Sequence, residues 1–440
     1  MNNKERLELA KWVAHQAQKK GADNAAADLG KYRQIEVEFR NFKLDVLKES
    51  TQNSLDLAIY VNNKYSNSST CDLRKDSLGK FIDEAIAMTK YLGEDEFRSL
   101  PDPKYYEGRQ DKELYIYDSG YDSFGSERRV KIAREIEETA RNHSEKVVAC
   151  AGYYTDACYE SVKVHSNGFA GSRKSASFSV GLEVTVCDDK ECRPNDFDFK
   201  TVRYIKDIPN HKKIAIAAVD RAFSKIGQKK ADSGKYDMIV ENRAGTRLLG
   251  ALAGPLRARN IQQKNSCLED KIGEKIASDK LTIIDDPFVE YGLGSRLYDG
   301  EGMATKKRIM IEKGVLKSYY VDNYYGKKLG WEPTIGSSTN STYHYGDKSL
   351  DDLIAMMGTG ILVTGFIGGN SSSSSGDFSY GIVGQMIKDG KAVHPINEMN
   401  VSGNILDLWP KLADVGNDPY TYSSNRRPSM YFKDIDFSGV

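Results

Sequence analysis

The chain has 440 residues, 39% of them hydrophobic and 29% charged, and its 63 Lys and Arg balance 63 Asp and Glu. At roughly 100–200 residues per domain this length implies two or three domains, and zero net charge excludes broad electrostatic attraction to nucleic acid or anionic membranes. No run approaches the about 18 apolar residues that cross a bilayer, no secretory h-region opens the chain, and six cysteines are too sparse for a disulfide-stapled fold; the expected location is the cytoplasm.

Leu7, Leu9, Ala10, Val13 and Ala14 recur at near-helical spacing and predict an amphipathic first helix. Strand-like alternation follows at 34–39, 44–48 and 55–61. A second helix is predicted at 77–92, with Leu78, Phe81, Ile82, Ala85 and Ile86 on one face. Residues 93–125, with Pro101, Pro103 and several Tyr, Asp and Gly, read as a connector. A third helix, with Ser126 as its N-cap, runs to about 142. Strands are expected at 147–156, 159–166 and 175–187, and a fourth helix at 212–226. Helix, three strands, helix thus occurs twice, which reads as a duplicated unit with halves 1–100 and 115–228 in an N-terminal α/β region, 1–228.

The character changes after residue 228, with a boundary expected within 227–234. A short apolar strand at 236–240 leads into Leu248-Leu249-Gly250-Ala251-Leu252-Ala253-Gly254-Pro255, read as a helix. Strands are then expected at 281–284, 307–312, 314–321, 360–366, 379–388 and 398–405. Lys313-Gly314 and Asp389-Gly390 between such runs are hairpin signals. The fold class is therefore α+β, with a strand-rich, barrel-like C-terminal domain at 232–440.

Catalytic chemistry is hard to find. His15, His143, His165, His211, His344 and His394 form no HExxH, HxH or His-x3-His, so neighbouring histidines build no local zinc site. The segment from Cys187 to Cys192 has no second Cys/His pair at zinc spacing and reads as a polar hairpin tip. There is no GxSxG elbow, and Ser379, Asp377 and His344 or His394 have nothing but availability to make them a triad. Asp285-Asp286 before Pro287 reads as a turn at a strand end. Gly368-Gly369-Asn370, the serine run to Ser375 and Gly376 match no phosphate-binding loop. They read as a solvent loop between strands, with contact to a bound peptide as the functional alternative.

Two segments carry a resemblance. Asp299-Gly300-Glu301-Gly302-Met303-Ala304-Thr305 runs into a strand, a Glu-x-Gly-Val-Leu-Lys hairpin and a second strand. Thr364-Gly365, Gly376-Asp377-Phe378-Ser379-Tyr380-Gly381 and the GQMIKDGKAVHPINEMNVSGN series follow in order, continued by 412–418. These resemble the TldD/PmbA family, also known as modulators of DNA gyrase, most closely over 232–418. The resemblance implies a zinc peptidase system in which a TldD-type member carries HExxxH on a helix and a further C-terminal cysteine. Laid onto this chain, Gly250 stands at the first histidine, Ala251 at the glutamate and Pro255 at the second histidine. None of these can bind zinc or move a proton, and residues 419–440 contain no cysteine. That combination resembles the PmbA (TldE) branch.

The resemblance thus implies a non-catalytic subunit with no catalytic residue and no metal or cofactor of its own, the zinc belonging to a TldD-type partner. The complex would act on peptides or unfolded segments. Gly368, Gly369, Asn370, Gly376, Asp377 and Ser379 are expected as loops of a peptide chamber. A homodimer of the isolated chain is a further expectation; membrane association and direct nucleic-acid binding are not expected. Two alternatives stand beside this reading: a self-associating binding or regulatory protein without peptidase activity, and a self-sufficient metallopeptidase using scattered residues such as Glu301, His344 and His394.

Overall fold

The structure, a computed structural model, describes residues 1–188 and 193–439. Its N-terminal region runs α1 (Asn3–Lys19), β1 (Asn24–Arg40), β2 (Lys43–Val61), β3 (Lys64–Thr70) and α2 (Lys75–Lys90), then α3 (Ser126–His143), β4 (Val147–His165), β5 (Ala170–Val186), β6 (Asn195–Val202) and α4 (His211–Phe223). The expected repetition of helix, three strands and helix is therefore present. The six strands form one antiparallel sheet in the order β3-β2-β1-β4-β5-β6, so the first strands of the two units pair at its centre.

Alternation explains the layering. Ala25, Ala27, Leu29, Ile35, Val37 and Phe39 of β1 are all buried and share one parity, hence one face. Toward one end that face packs α1 and α2 through Leu9, Val13, Leu78 and Ile82; toward the other it packs α3 and α4 through Ala133, Ile136, Ile214 and Ala218. All four helices thus cover the same side. At the second core Arg129 Nε donates to Asp156 (2.6 Å), which also accepts from Tyr121 (2.7 Å) and Tyr154 (2.9 Å). The opposite face carries Gly30, Tyr32, Tyr159, Ser161 and Phe199, and Tyr32, Tyr159, Phe197 and Phe199 stay exposed there.

Several sequence expectations are corrected. Segments 44–48 and 55–61 are one strand of 19 residues, β2, and 147–156 and 159–166 are likewise one, β4. The polar stretch 49–54 stays extended because β1 supplies its ladder partners, and Ala157 and Cys158 are paired on both sides, by β1 and β5. β3 and β6 are edge strands absent from the expectations: β3 is largely polar, and β6 alternates Phe197 and Phe199 with polar residues over only eight residues. Ser126 is the first helical residue of α3, whose N-cap is Gly125 with no side-chain cap. Of the 187–192 hairpin tip, Asp189 to Cys192 lie outside the described residues.

The C-terminal region contains β7 (Gly234–Val240), α5 (Thr246–Ala253), α6 (Ala258–Gln262), β8 (Ile283–Asp285), β9 (Arg308–Glu312), β10 (Val315–Leu316), α7 (Asn323–Leu329), β11 (Ser341–Tyr343), α8 (Leu350–Met357), β12 (Gly360–Ser371), β13 (Asp377–Lys388), β14 (Lys391–Asn404), α9 (Ile405–Leu408), β15 (Leu412–Val415) and β16 (Met430–Ser438). Strands β14, β13, β12, β7 and β16 pair in that order, and β14 pairs back to β16, closing a five-stranded barrel. Only the β12–β7 pairing in it is parallel. Met238, Val240, Ile361, Val363, Ile382, Met399, Val401, Met430 and Phe432 belong to one buried cluster that α5 joins through Leu248, Leu249 and Leu252. A small sheet, β10-β9-β8-β11, lies beside the barrel.

Both predicted hairpin turns form: Lys313 and Gly314, and likewise Asp389 and Gly390, adopt the positive φ that the favoured two-residue turns require. The strand expected at 314–321 shrinks to two residues, Val315 and Leu316. Among the described residues no helix is long and apolar enough to cross a membrane.

Candidate functional site

A cleft of about 830 Å³ lies where the sheet's β5–β6 edge meets α5 and the outer half of β12. Gly250 and Ala251 form part of one wall, Glu183 and Phe197 part of another, and Gly369, Asn370 and Ser371 part of a third. Two of the three degenerate motif positions therefore open into this cleft. A Cβ built on Gly250 would meet nothing within 4 Å, whereas Ala251 is packed and buried.

Pro255 is different. The helix ends at Ala253, Gly254 caps it, and Pro255 is buried beyond that end, its carbonyl accepting from Ser266 Oγ (2.8 Å). Next to it the Cys267 N–H donates to Ser373 O (2.8 Å), and Cys267 Sγ lies 3.2 Å from where a Cβ on Gly376 would stand. Burial pushes the Cys267 thiol up from its ordinary value. One thiol beside Gly, Ala and Pro is not a zinc-binding donor set.

The expected chamber loop is largely strand. Gly368, Gly369 and Asn370 belong to β12, and Asp377 and Ser379 to β13; only 372–376 form the turn between them. The sequence misleads because Gly368 and Gly369 both have positive φ, which breaks the ladder register between Ile367 and Asn370 without ending the strand. Gly369 and Asn370 line the cleft, and the Gly368 carbonyl accepts from Arg247 Nη2 (2.9 Å). Gly376, Asp377 and Ser379 do not line it. Asp377 instead accepts from Asn404 Nδ2 (2.9 Å), and hydrogen bonds from Ser375 and Asn404 hold its carboxyl below the usual range.

Sequence reasoning does not anticipate the open edge of β12. Parallel pairing with β7 covers Ile361 to Val363 and then stops. From Thr364 outward the same edge has no strand partner among the described residues, while β13 continues on the other side. Arg247, on the first turn of α5, reaches over this edge to the carbonyls of Gly368 and Gly369 and packs 5.0 Å from the Tyr380 ring centre. The alternating pattern of β12 carries no signal that β7 ends early.

Charged groups at the cleft pair with one another, while Arg221 Nε and Arg243 Nη1 are buried with no hydrogen-bond partner among the described residues. Arg243 Nη2 donates to Asp196 Oδ1 (2.9 Å), Lys225 pairs with Asp196 Oδ2 (3.0 Å), and Arg221 pairs with Glu241 (2.8 Å). Burial would raise the Asp196 carboxyl, but Lys225 and Arg243 outweigh it and hold it below its usual range. These contacts tie the N-terminal sheet to the barrel.

No histidine lines the cleft among the described residues. His211 pairs with Glu135 (2.7 Å), His143 faces Asp220 (3.4 Å), and His165 Nδ1 lies 3.0 Å from Tyr106 Oη. Glu301, His344 and His394 do not come together, and among the described residues no three His, Cys, Asp or Glu gather in a way that could hold a metal ion.

Residues 233–439 match the family model for the PmbA/TldA metallopeptidase C-terminal domain, and residues 121–226 the model for its central domain. Metalloprotease PmbA of Escherichia coli O157:H7 is 26% identical over 432 residues, covering 95% of this chain and 93% of that protein. A Bacteroides thetaiotaomicron protein described as a modulator of DNA gyrase is 39% identical, with a TM-score of 0.97 and full coverage of both chains. TldE from Thermococcus kodakarensis superposes with a TM-score of 0.87 at 21% identity, covering 98% of this chain and 100% of that one, and shares the fold.

Proposed function

The chain belongs to the PmbA/TldD metallopeptidase family, and we propose that it is the PmbA/TldE-like, non-catalytic subunit of a zinc-dependent peptidase whose metal sits on a TldD-type partner. The reading is carried by the side chains at the degenerate motif. Gly250 and Ala251 open on or border the cleft with no ligating atom, and Pro255 is buried past the helix end. Zinc does not fit this donor set, so no step of hydrolysis is assigned to this chain.

Its own contribution would be to hold substrate. An extended peptide can add to the open edge of β12 beyond Val363, where backbone groups give affinity without side-chain selection. The exposed aromatics of the helix-free sheet face, Phe197 above all, supply apolar contact area on the opposite wall. Partner and substrate would meet in the cytoplasm.

The test compares the purified chain, a TldD-type partner and their mixture for zinc content and cleavage of an unstructured peptide. We expect sub-stoichiometric zinc and no cleavage from this chain, and cleavage by the mixture exceeding that of the partner alone. Stoichiometric zinc with chelator-sensitive peptidase activity in the isolated chain would instead make it a self-sufficient enzyme. A mixture no more active than the partner would leave it a binding protein.

A further inference from the structure

Two cavities of about 470 and 300 Å³ share no lining residue with the α5 cleft and meet at Arg98, Gly300, Glu301 and Tyr324. They lie where the connector after α2 and the 299–301 turn close over one end of the helix-free sheet face. The Arg98 guanidinium packs 3.6 Å from the Tyr324 ring centre and 4.9 Å from that of Tyr65. Tyr324 is itself fixed, its Oη donating to Asp95 (2.6 Å). Among the described residues no side-chain or backbone oxygen accepts from the Arg98 side chain. A planar cation has thus been oriented by ring stacking with its N–H edge left unused.

Of the neighbouring charges, Lys163, Asp299 and Asp322 are already committed, whereas the Arg259 side chain, which lines the larger cavity, has no hydrogen-bond or ion-pair partner among the described residues. Lys163 pairs with Asp28 (3.1 Å) and donates to the Gly300 carbonyl. Asp299 accepts the N–H groups of Glu301 (2.9 Å) and Met303 (3.0 Å), and Asp322 caps α7 through the Tyr325 N–H (2.7 Å). Glu301 Oε2 accepts the Asn323 N–H (2.8 Å), whereas its Oε1 has no partner among the described residues. The junction therefore presents a free guanidinium fork and a free carboxyl oxygen together with tyrosine rings. A guanidinium edge matches a carboxylate bidentately, and a lone carboxyl oxygen matches one N–H donor.

We propose that this junction binds the C-terminus of a short peptide, its terminal carboxylate on the Arg98 fork and its last backbone N–H on Glu301 Oε1. The rings of Tyr65 and Tyr324 flank the bound end, and the two cavities leave room for a few residues, since small-ligand sites run to about 300–1,000 Å³. That the carboxylate belongs to a peptide rests on the peptidase reading above. The anion site at Arg98 does not, and its test needs neither zinc nor the partner.

The experiment is calorimetric titration of the full isolated chain with Ala-Ala-Ala, with its C-terminal amide, and with inorganic phosphate. The expected result is that the free acid binds and the amide binds at least about tenfold more weakly, the loss of one bidentate charged contact. Arg98→Gln should abolish that discrimination, and Arg98→Lys should restore only part of it, because an ammonium keeps the charge without the planar fork. Equal binding of acid and amide by the unmodified chain overturns the proposal whatever the variants do. Discrimination that survives Arg98→Gln overturns the role of Arg98. Phosphate binding more tightly than the free-acid peptide overturns the peptide assignment.

Discussion

Gly369 and Ser379 approach so closely across the β12–β13 ladder that a Cβ on Gly369 would stand 2.0 Å from the Ser379 carbonyl oxygen. The contact lets β12 bulge without ending, and so carries its open edge out along the cleft. Gly369 also holds a positive φ, a conformation in which side chains are strained. Gly369→Ala should lower stability by at least about 2 kcal/mol, read as a lower urea midpoint. An unchanged midpoint would mean that the bulge is not rigid.

Gly250 gives the opposite expectation. It lies in the last turn of α5, with space around its missing Cβ. Gly250→Ala should raise stability by about 0.5–1 kcal/mol, because alanine loses less backbone entropy in a helix. Thermal unfolding of the two proteins side by side checks it; a lower Tm would show that the position is constrained by something other than the helix.

Arg247 ties α5 to the bulge through two carbonyls. Arg247→Gln should raise the KM of the reconstituted pair for a peptide by about tenfold, roughly 1.4 kcal/mol of binding, with little change in kcat. If kcat alone falls, the residue acts on the partner's chemistry and not on the substrate wall.

Glu301 should make stability pH-dependent. Burial, aided by Asp299 and Asp322 and opposed by the Asn323 N–H and Lys163, pushes its carboxyl up from 4.5 to about 7. A raised folded value means the folded state binds more protons between those limits, so stability falls as pH climbs from about 4.5 to 7 and then levels. Glu301→Gln removes this penalty while keeping an acceptor for Asn323. The variant should match the wild type near pH 4 and exceed it at pH 8 by on the order of 3 kcal/mol. Denaturant melts across that range decide it, and parallel curves would rule it out.

Asp156 is fully buried against Arg129, Tyr121 and Tyr154. Asp156→Ala leaves Arg129 buried without its counter-charge and should cost about 3–5 kcal/mol. Loss of the α3 amide protection in hydrogen exchange would locate the damage; a smaller loss confined to surface amides would contradict it.

The helices are the most legible part of the chain, because Leu9, Val13, Leu78 and Ile82 repeat at the helical period and stay in contact with one core. Strands are legible only where one face is apolar. The polar stretch 49–54 of β2 belongs to a strand because β1 supplies its ladder partners, which no local pattern reports. β6 offers only a short alternation of Phe197 and Phe199 with polar residues. At the cleft, Gly250, Ala251, Gly369 and Asn370 can be named from motif order; Arg247, Phe197 and the premature end of the β7 pairing cannot, since each matters through residues far along the chain.

By itself the sequence determined the identity of the side chains at 250, 251 and 255, and with it the absence of ligating atoms there; covalent structure alone settles that. It also determined the two hairpin turns, whose Lys-Gly and Asp-Gly pairs act over a few bonds. Tertiary structure decided which of those three positions opens on the cleft, which is buried, and that Arg98 ends its path stacked on Tyr324 with its donors unused. Those outcomes depend on pairing and packing between segments hundreds of residues apart, where the free energy of burial and of backbone pairing is shared across the whole fold and written in no one segment.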